Sequence, residues 1–600
     1  MYRGGGLRFG SIAAVTFIPL RPALAILIPL AAALLAPVPA AAQDAELHAL
    51  FDEFMDFRRQ EEPRFAASLA GASPTTLGSM TEADIERRAA AARGFRDRLL
   101  EIPRDRLSDE DLVHRDIFEA MLGERIGDAE FGGHLLPINA DSGFHIGMAR
   151  LPNSLPLQTV ADYEAYIALL RDIPRYFDEH IALMRRGMER GITVPRVVLA
   201  GYEVTIASHV LEDPEASVFH APFAAFPERI PEAERARLRA AGSEAVLTGA
   251  VAAYRTFLDY FEYEYRPAAR TTIGASDLPN GREYYAFLIG RFTTLDRTAE
   301  EIHQVGLGEV ERIRSEMDEA MRATGFEGTF AEFLEFLRTD SRFYVETPEE
   351  LLREAMWIVK RMDGALPRLF GRLPRQPYTV EPVPDAIAPK YTGGRYVGAP
   401  LTSTQPGRYW VNTYQLDSRP LYTLESLSLH EAVPGHHLQN ALAKELDLPE
   451  FRRYYGIGAY GEGWALYSER LGLEVGFYED PYNNFGRLTY EMWRACRLVV
   501  DTGMHALGWT RQATLDYLAA HTALSIHEIT TETDRYIAWP GQALGYKMGE
   551  LKIRELRALA EAELGDRFDI RAFHDAVLLN GPVTLPVLDT VIRRWIETER

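Results

Sequence analysis

The sequence predicts a mainly α-helical protein with a small β-sheet, built in two parts. Apolar residues recur at helical spacing along nearly the whole chain after its first segment, and strand-like runs are few. A chain of 600 residues with 47 % hydrophobic and 25 % charged residues has the composition of a globular protein with room for several cores. We place an approximate boundary near residue 280, which gives an N-terminal helical part over 43–280 and a second part over 281–600 that carries the candidate site. The alternative is one continuous body.

Capping residues mark the starts of the predicted helices. In RTAEEIHQVGLGEVERIRSEM, Thr298 and Glu301 form a capping-box pattern ahead of apolar residues at helical spacing. Thr347 and Pro348 open a second helix in ETPEELLREAMWIVKRM, and Ser108 opens a third in SDEDLVHRDIFEAML. These patterns predict helices on both sides of the boundary.

The clearest strand signal is RYWVNTY, residues 408–414, between turn-forming clusters. We expect the sheet to lie beside the candidate site. We interpret this strand as an edge strand on which an extended peptide lies, with Tyr409 and Asn412 as substrate-binding residues.

The first 42 residues are typical of an export signal. Three arginines flank the start of an apolar run over 22–39, which ends in the small residues Ala40 to Ala42. Cleavage near Ala42 predicts a periplasmic or secreted protein with no stable membrane association. The alternative is an uncleaved membrane anchor, although four prolines interrupt the run.

Charge and cysteine content argue against several classes. The formal net charge of −22 disfavours nucleic acid and anionic membrane surfaces as partners. The single cysteine, Cys496, excludes an intramolecular disulfide and a lipid-modified cysteine after the signal. Its apolar surroundings indicate a buried small side chain.

The segment LSLHEAVPGHHLQ, residues 427–439, carries three of the 15 histidines around Glu431. A catalytic zinc ion needs three protein ligands and an open position for water, and histidine with carboxylate is the usual set. The spacing departs from H-E-x-x-H, because the position four residues after His430 is Pro434. The segment is therefore either a distorted metal site or a simple helix break.

Pro434 and Gly435 can adapt the spacing. Proline must kink or bulge a helix, and glycine allows the backbone to follow. A bulge would bring His436 back over His430 as the second ligand. His437 returns to the same face but roughly 10 Å further along a straight helix, so it is a supporting residue or an alternative ligand.

The best candidate for the third ligand is Glu462, in YGEGWALYSERLGL. Glu469 shares its helical face and could orient a ligand. We therefore expect one zinc ion with three protein ligands, His430, His436 and Glu462, plus water. Histidine and carboxylate bind several divalent ions, so the native metal stays open.

Four stretches resemble a known family. They are HEAVPGHHLQ, GEGWALYSERL, RACRLVVDTGMHALGW (494–509) and RYIAWPGQALGYKMGELKI (535–553). Together they resemble the bacterial family catalogued as domain of unknown function 885, grouped with the gluzincin metallopeptidases. The resemblance implies a zincin-like fold and favours His436 over His437 as ligand. The segment around Glu462 is similar to the Asn-Glu-Gly-Phe-Ala element by which zinc aminopeptidases present their glutamate.

The expected zinc chemistry assigns catalytic roles to the residues around the metal site. Glu431 would accept a proton from water and pass it to the leaving amine. The resemblance implies an oxyanion donor among Tyr546 and His505, and Arg497 as a substrate-binding residue.

We therefore expect an exported zinc metallopeptidase that hydrolyses short peptides. One alternative is a zinc hydrolase of a non-peptide ester or amide, and another is a metal-binding scaffold without turnover. The sequence leaves open exo- or endopeptidase action, side-chain preference and oligomeric state.

Overall fold

The computed structural model describes residues 40–385, 387–399 and 404–600. Residues 1–39 of the predicted export signal lie outside the described residues. The described chain is mainly helical with a three-stranded sheet, as predicted. Among its helices, none combines the length and the apolarity that a membrane span requires.

Helices before residue 280 make up most of the first part. In chain order they are α1 (Ala40–Glu61), α2 (Pro63–Ala70), α3 (Glu82–Glu101), α4 (Asp109–Glu130), α5 (Phe144–Ala149), α6 (Val160–Glu189), α7 (Val204–Ala207), α8 (Ala221–Ala224), α9 (Glu232–Ala245), α10 (Ala252–Tyr260) and α11 (Arg266–Ala268). Two π-helical turns, Val246–Val251 and Phe261–Tyr265, join α9, α10 and α11.

The second part continues with α12 (Gly281–Thr293), α13 (Ala299–Ala323), α14 (Phe330–Thr339), α15 (Pro348–Leu369), α16 (Leu424–Glu431), α17 (His436–Lys444), α18 (Glu450–Arg453), α19 (Gly458–Leu471), α20 (Pro481–His505), α21 (Arg511–His521), α22 (Ile526–Ala538), α23 (Leu544–Leu564), α24 (Ile570–Leu578) and α25 (Leu585–Glu599). The predicted caps are confirmed. Thr298 accepts a hydrogen bond from the Glu301 amide at 3.1 Å, and Thr347 caps α15 in the same way. Ser108 caps α4.

The sheet consists of β1 (Tyr378–Pro382), β2 (Gly394–Val397) and β3 (Gly407–Val411), in the order β1-β3-β2. Strand β3 pairs in parallel with β1 and antiparallel with β2, with Tyr396 opposite Tyr409. The prediction of 408–414 as an edge strand was therefore wrong, because both sides of the β3 backbone are already paired. Strand β2 forms an edge instead.

Two large hydrophobic clusters form most of the core. One joins Leu47 and Phe51 of α1 to Phe451 and to Leu588 of α25. The other joins α6 and α10 to α20, and it contains Cys496. Burial raises the pKa of the Cys496 thiol, which confirms it as a buried, unreactive side chain. Both clusters draw on residues from either side of residue 280.

Candidate metal centre and its cleft

A four-residue turn between α16 and α17 brings two histidines together. Helix α16 ends at Glu431 and α17 begins at His436, so the predicted distortion is a break between two helices. The Gly435 amide donates to the Leu429 carbonyl at 3.0 Å, which closes the turn. A Cβ at Gly435 would lie 1.9 Å from the His430 carbonyl oxygen, so the turn requires glycine. The rings of His430 and His436 lie 4.8 Å apart.

Glu462 of α19 completes a cluster of three potential ligands. Its Oε2 lies 3.5 Å from His430 Nε2 and 3.3 Å from His436 Nε2. The three ligand atoms all lie within 4.8 Å of one another. Tetrahedral zinc with bonds of about 2.0–2.1 Å separates its ligand atoms by about 3.3 Å. The donor set and its spacing therefore fit a zinc ion, and the structure brings all three predicted ligands together.

Glu469 contacts His430 through the ring nitrogen Nδ1. The Nδ1–H of His430 donates to Glu469 Oε1 at 2.8 Å, which leaves Nε2 facing Glu462. Ser426 donates to the other Glu469 oxygen at 2.6 Å, and Arg494 lies 3.4 Å from the first. Each oxygen of this buried carboxylate is thus fixed.

The histidines and glutamates of the cluster shift each other's pKa values. Although burial alone lowers the pKa of a histidine, the carboxylates of Glu462 and Glu469 raise the pKa of His430 to about 10. Burial alone would raise the pKa of Glu462, but the two imidazoles hold it well below its usual value. The imidazoles and the carboxylates of the cluster therefore stabilise each other's charged forms.

Glycine contacts between α19 and α23 set the position of Glu462. A Cβ at Gly463 would lie 2.5 Å from Gly549 Cα, and a Cβ at Gly549 would lie 1.9 Å from the Ala459 carbonyl oxygen. The two helix backbones are therefore in direct contact. Trp464 donates from Nε1 to the Pro434 carbonyl at 2.9 Å and ties α19 to the turn between the histidines.

The predicted base Glu431 is only 8 % exposed and lines the same cleft as the cluster. Its Oε2 accepts a hydrogen bond from the Tyr396 amide of β2 at 2.7 Å. This bond fixes the orientation of the carboxylate inside the cleft.

The cleft has a volume of about 470 Å³. Strand β2, α16, α17 and α19 form one wall. The opposite wall consists of polar and aromatic side chains from α20, α22 and α23: Tyr490, Trp493, Arg494, Arg497, Glu528, Glu532, Arg535 and Tyr546. Of these, the sequence argument found only Arg497 and Tyr546. On α22, the polar residues Glu528, Glu532 and Arg535 recur at spacings of four and three positions. This helical pattern was the signal that could have revealed these three residues.

Arg497 and Tyr546 contact each other in this wall. The Arg497 guanidinium carbon lies 4.4 Å from the centre of the Tyr546 ring. Arg497 also donates from Nε to the Tyr536 hydroxyl at 2.8 Å and from Nη2 to Glu532 at 3.0 Å. Both predicted residues therefore face the cleft.

His505 lies elsewhere, and its predicted catalytic role is not supported by its position. It is fully buried and does not line the cleft of the metal cluster. Its Nδ1 accepts from the Ala275 amide and its Nε2–H donates to the Tyr536 carbonyl, both at 3.0 Å. Burial lowers its pKa to about 3, so the ring is neutral and structural.

Tyr409 and Asn412 are also structural, which corrects their prediction as substrate-binding residues. Both are fully buried, because β3 is the central strand. The Tyr409 hydroxyl lies 3.3 Å from Ser428 Oγ on α16. The Asn412 amide donates to carbonyls of the 388–392 loop at 3.0–3.1 Å and fixes the chain that leads into β2.

His437 supports the sheet and lies outside the cluster. Its Nδ1 lies 3.2 Å from the Tyr396 hydroxyl and its Nε2 lies 3.1 Å from the Gln376 carbonyl. Burial lowers its pKa to about 4. Both ring nitrogens are occupied, so the structure favours His436 in the ligand set.

The fold and the cluster define a mainly helical protein with a histidine–carboxylate centre inside a cleft. The chain belongs to the bacterial family described as "Bacterial protein of unknown function (DUF885)", whose model matches residues 63–592. The predicted family is thereby confirmed.

Solved structures from two organisms share the fold. A protein of Colwellia psychrerythraea is 28 % identical, with 93 % of this chain and 99 % of that chain covered and a TM-score of 0.83. A protein of unknown function from Shewanella oneidensis is 18 % identical, with 91 % and 99 % covered and a TM-score of 0.69, and shows the fold alone. Both are described as a "putative lipoprotein". Among proteins with curated descriptions, none matches significantly.

Proposed function

We propose that this protein is an exported, zinc-dependent metallopeptidase of the zincin-like, gluzincin type that hydrolyses short peptides. One observation carries the proposal: His430, His436 and Glu462 converge in the cleft that Glu431 also lines. The export signal predicted over 1–42 and the description of two structural neighbours as lipoproteins support the proposed location outside the cytoplasm.

When bound by these three residues, zinc supplies Lewis-acid chemistry that activates water and polarises a carbonyl. Glu431 takes a proton from the attacking water, so that a C–O bond forms at the scissile carbon. It then returns that proton to the amine as the C–N bond breaks. The Tyr396 amide keeps Glu431 oriented for both steps.

Tyr546 is the candidate donor to the developing oxyanion. Its ring lines the cleft on α23, the helix in backbone contact with the helix of Glu462. The Arg535 guanidinium lies 3.5 Å from the Tyr546 hydroxyl and favours negative charge beside it.

Strand β2 offers an edge along which an extended peptide can bind by strand addition, using the backbone groups that the Tyr396–Glu431 hydrogen bond leaves open. Gly394, Arg395 and Tyr396 line the cleft, and the far side of β2 is paired with β3. We therefore assign the peptide-binding edge to β2 in place of β3, for which the sequence predicted it. The fixed position of Glu431 favours an enzyme over a metal-binding scaffold, since metal binding alone requires no base.

The test is zinc content of the mature chain by plasma emission spectrometry. We expect one zinc ion per chain, lost in Glu462→Gln and in the His430→Ala, His436→Ala double variant. His437→Ala is the matched control and should keep its zinc. Zinc retained by the double variant would place the metal elsewhere.

Activity is measured separately on peptide libraries, with cleavage detected by mass spectrometry. Glu431→Gln should bind zinc normally but hydrolyse peptides about 10²–10⁴-fold more slowly. A zinc-loaded wild type that cleaves esters or non-peptide amides and no peptide would support the alternative substrate class.

A further inference from the structure

Arg497 presents a buried nitrogen that has no hydrogen-bond partner. The residue is 2 % exposed and lines the cleft. Its Nε and Nη2 are bound to Tyr536 and Glu532, but Nη1 has no partner among the described residues. A buried N–H of a charged group costs free energy unless an acceptor satisfies it. An acceptor bound in the cleft would complete this arrangement.

The charges around Arg497 favour an anionic acceptor. Arg497 and Arg535 share one carboxylate, Glu532. Burial alone would raise the pKa of Glu532, but these two arginines lower it to about 2, so it is fully ionised. Burial raises the pKa of the nearby Glu528 to about 7, so it carries only part of a charge at neutral pH. Arg494 is already paired with Glu469, so Arg497 and Arg535 together carry one positive charge more than Glu532, and Glu528 offsets only part of it.

The unmatched charge lies close to the metal cluster. Arg497 packs against the Tyr546 ring. Along the contact of α19 with α23, a Cβ at Gly545 would approach Ala459 to 3.5 Å, and Gly549 contacts Gly463. Tyr546 therefore lies at the level of the helix turn that presents Glu462, with Arg497 packed against its ring.

Resting on the proposed function, we propose that Arg497 binds the free terminal carboxylate of the peptide, so that the enzyme acts as a carboxypeptidase. The carboxylate accepts hydrogen bonds from Nη1 while the peptide bond near the carboxyl end lies at the metal cluster. Hydrolysis then releases a short C-terminal fragment. An acidic side chain has the same chemistry as a terminal carboxylate, and the substrates below separate the two.

Three matched peptides test this inference: a free acid, its C-terminal amide, and an amide with glutamate as the last residue. Initial rates on zinc-loaded wild type are measured by mass spectrometry. A hydrogen bond between charged groups predicts a preference for the free acid of roughly 10- to 150-fold. Equal rates for acid and amide, or cleavage at internal bonds, would overturn the inference. Recovery of the full rate by the glutamyl amide would assign the site to acidic side chains instead.

Arg497→Gln should abolish the preference while its zinc content stays at one ion. Arg408→Gln is the matched control, because it removes the same charge from an exposed position on β3 outside the cleft and should keep the preference. Since Arg497→Gln removes buried hydrogen bonds, circular dichroism checks that it folds. If it does not, the acid-to-amide ratio of the wild type decides alone.

A binding measurement separates this inference from the proposed function. Calorimetry on zinc-loaded Glu431→Gln compares affinities for the free acid and the amide. Tighter binding of the free acid, with no hydrolysis by the wild type, would refute the peptidase proposal and support the carboxylate site. Hydrolysis with equal affinities and equal rates for the acid and the amide would support the peptidase proposal and refute the carboxylate site.

Discussion

Replacing Gly435 by alanine should disrupt the metal centre through one steric contact. The new Cβ would lie 1.9 Å from the His430 carbonyl oxygen, where real contacts are no shorter than 3.0 Å. Relieving this overlap of about 1 Å must move the turn that joins the two histidine ligands. Metal sites tolerate about 0.2 Å in ligand distance. We therefore expect zinc affinity to fall at least about 100-fold, or about 2.7 kcal/mol.

The assay is competition for zinc between the protein and a chelator of known affinity. Gly458→Ala is the matched control, because that glycine is exposed and a Cβ there meets nothing within 4 Å. The control should bind zinc as the wild type does. If Gly435→Ala also binds zinc within threefold of wild type, the turn does not set the ligand spacing and the reasoning fails.

Three further predictions concern the support of the site and the core. Glu469→Gln removes the carboxylate that holds His430 and should lower zinc affinity about 10- to 100-fold, and an unchanged affinity in the same competition assay would contradict this. Burial raises the pKa of Asp501 from 3.8 to about 7, so the stability linked to this group is fully present below pH 3.8 and is lost as the pH rises through 7. Urea unfolding at pH 5 and pH 8 should therefore show a smaller decline in the free energy of unfolding for Asp501→Asn than for wild type, by at most about 3 kcal/mol, and equal declines would refute the assignment. Gly549→Ala should destabilise the protein by about 1–3 kcal/mol in thermal unfolding, whereas Gly364→Ala, at an open helical position, should be neutral or stabilising.

Local patterns predicted the helices and most of the metal centre. The caps at Thr298 and Thr347 depend only on residues three positions away, so the sequence shows them directly. His430 and His436 are joined by a short turn with Pro434 at its centre, which restricted the arrangements to be considered. Glu462 stood out through its two flanking glycines, and the structure explains Gly463 by its contact with α23.

Residues whose surroundings are distant in sequence were predicted less well. His505 accepts a hydrogen bond from the Ala275 amide, 230 positions away, and no local sequence pattern predicts that contact. Tyr409 looked like part of an edge strand because β1 and β2 carry weak strand signals of their own. The positions of Tyr409 and Asn412 in the fold depend on which strands pair, and pairing is a tertiary property.

The core that joins the two ends of the chain bears on biosynthesis. Leu47 and Phe51 near the start share a hydrophobic cluster with Leu588 and Ile592 near the end. This cluster cannot close until α25 has been synthesised, so the apolar residues of α1 stay exposed on the growing chain until then. For the export proposed above, this late closure of the core would keep the chain unfolded while it passes through a translocation channel, and folding would be completed on the far side.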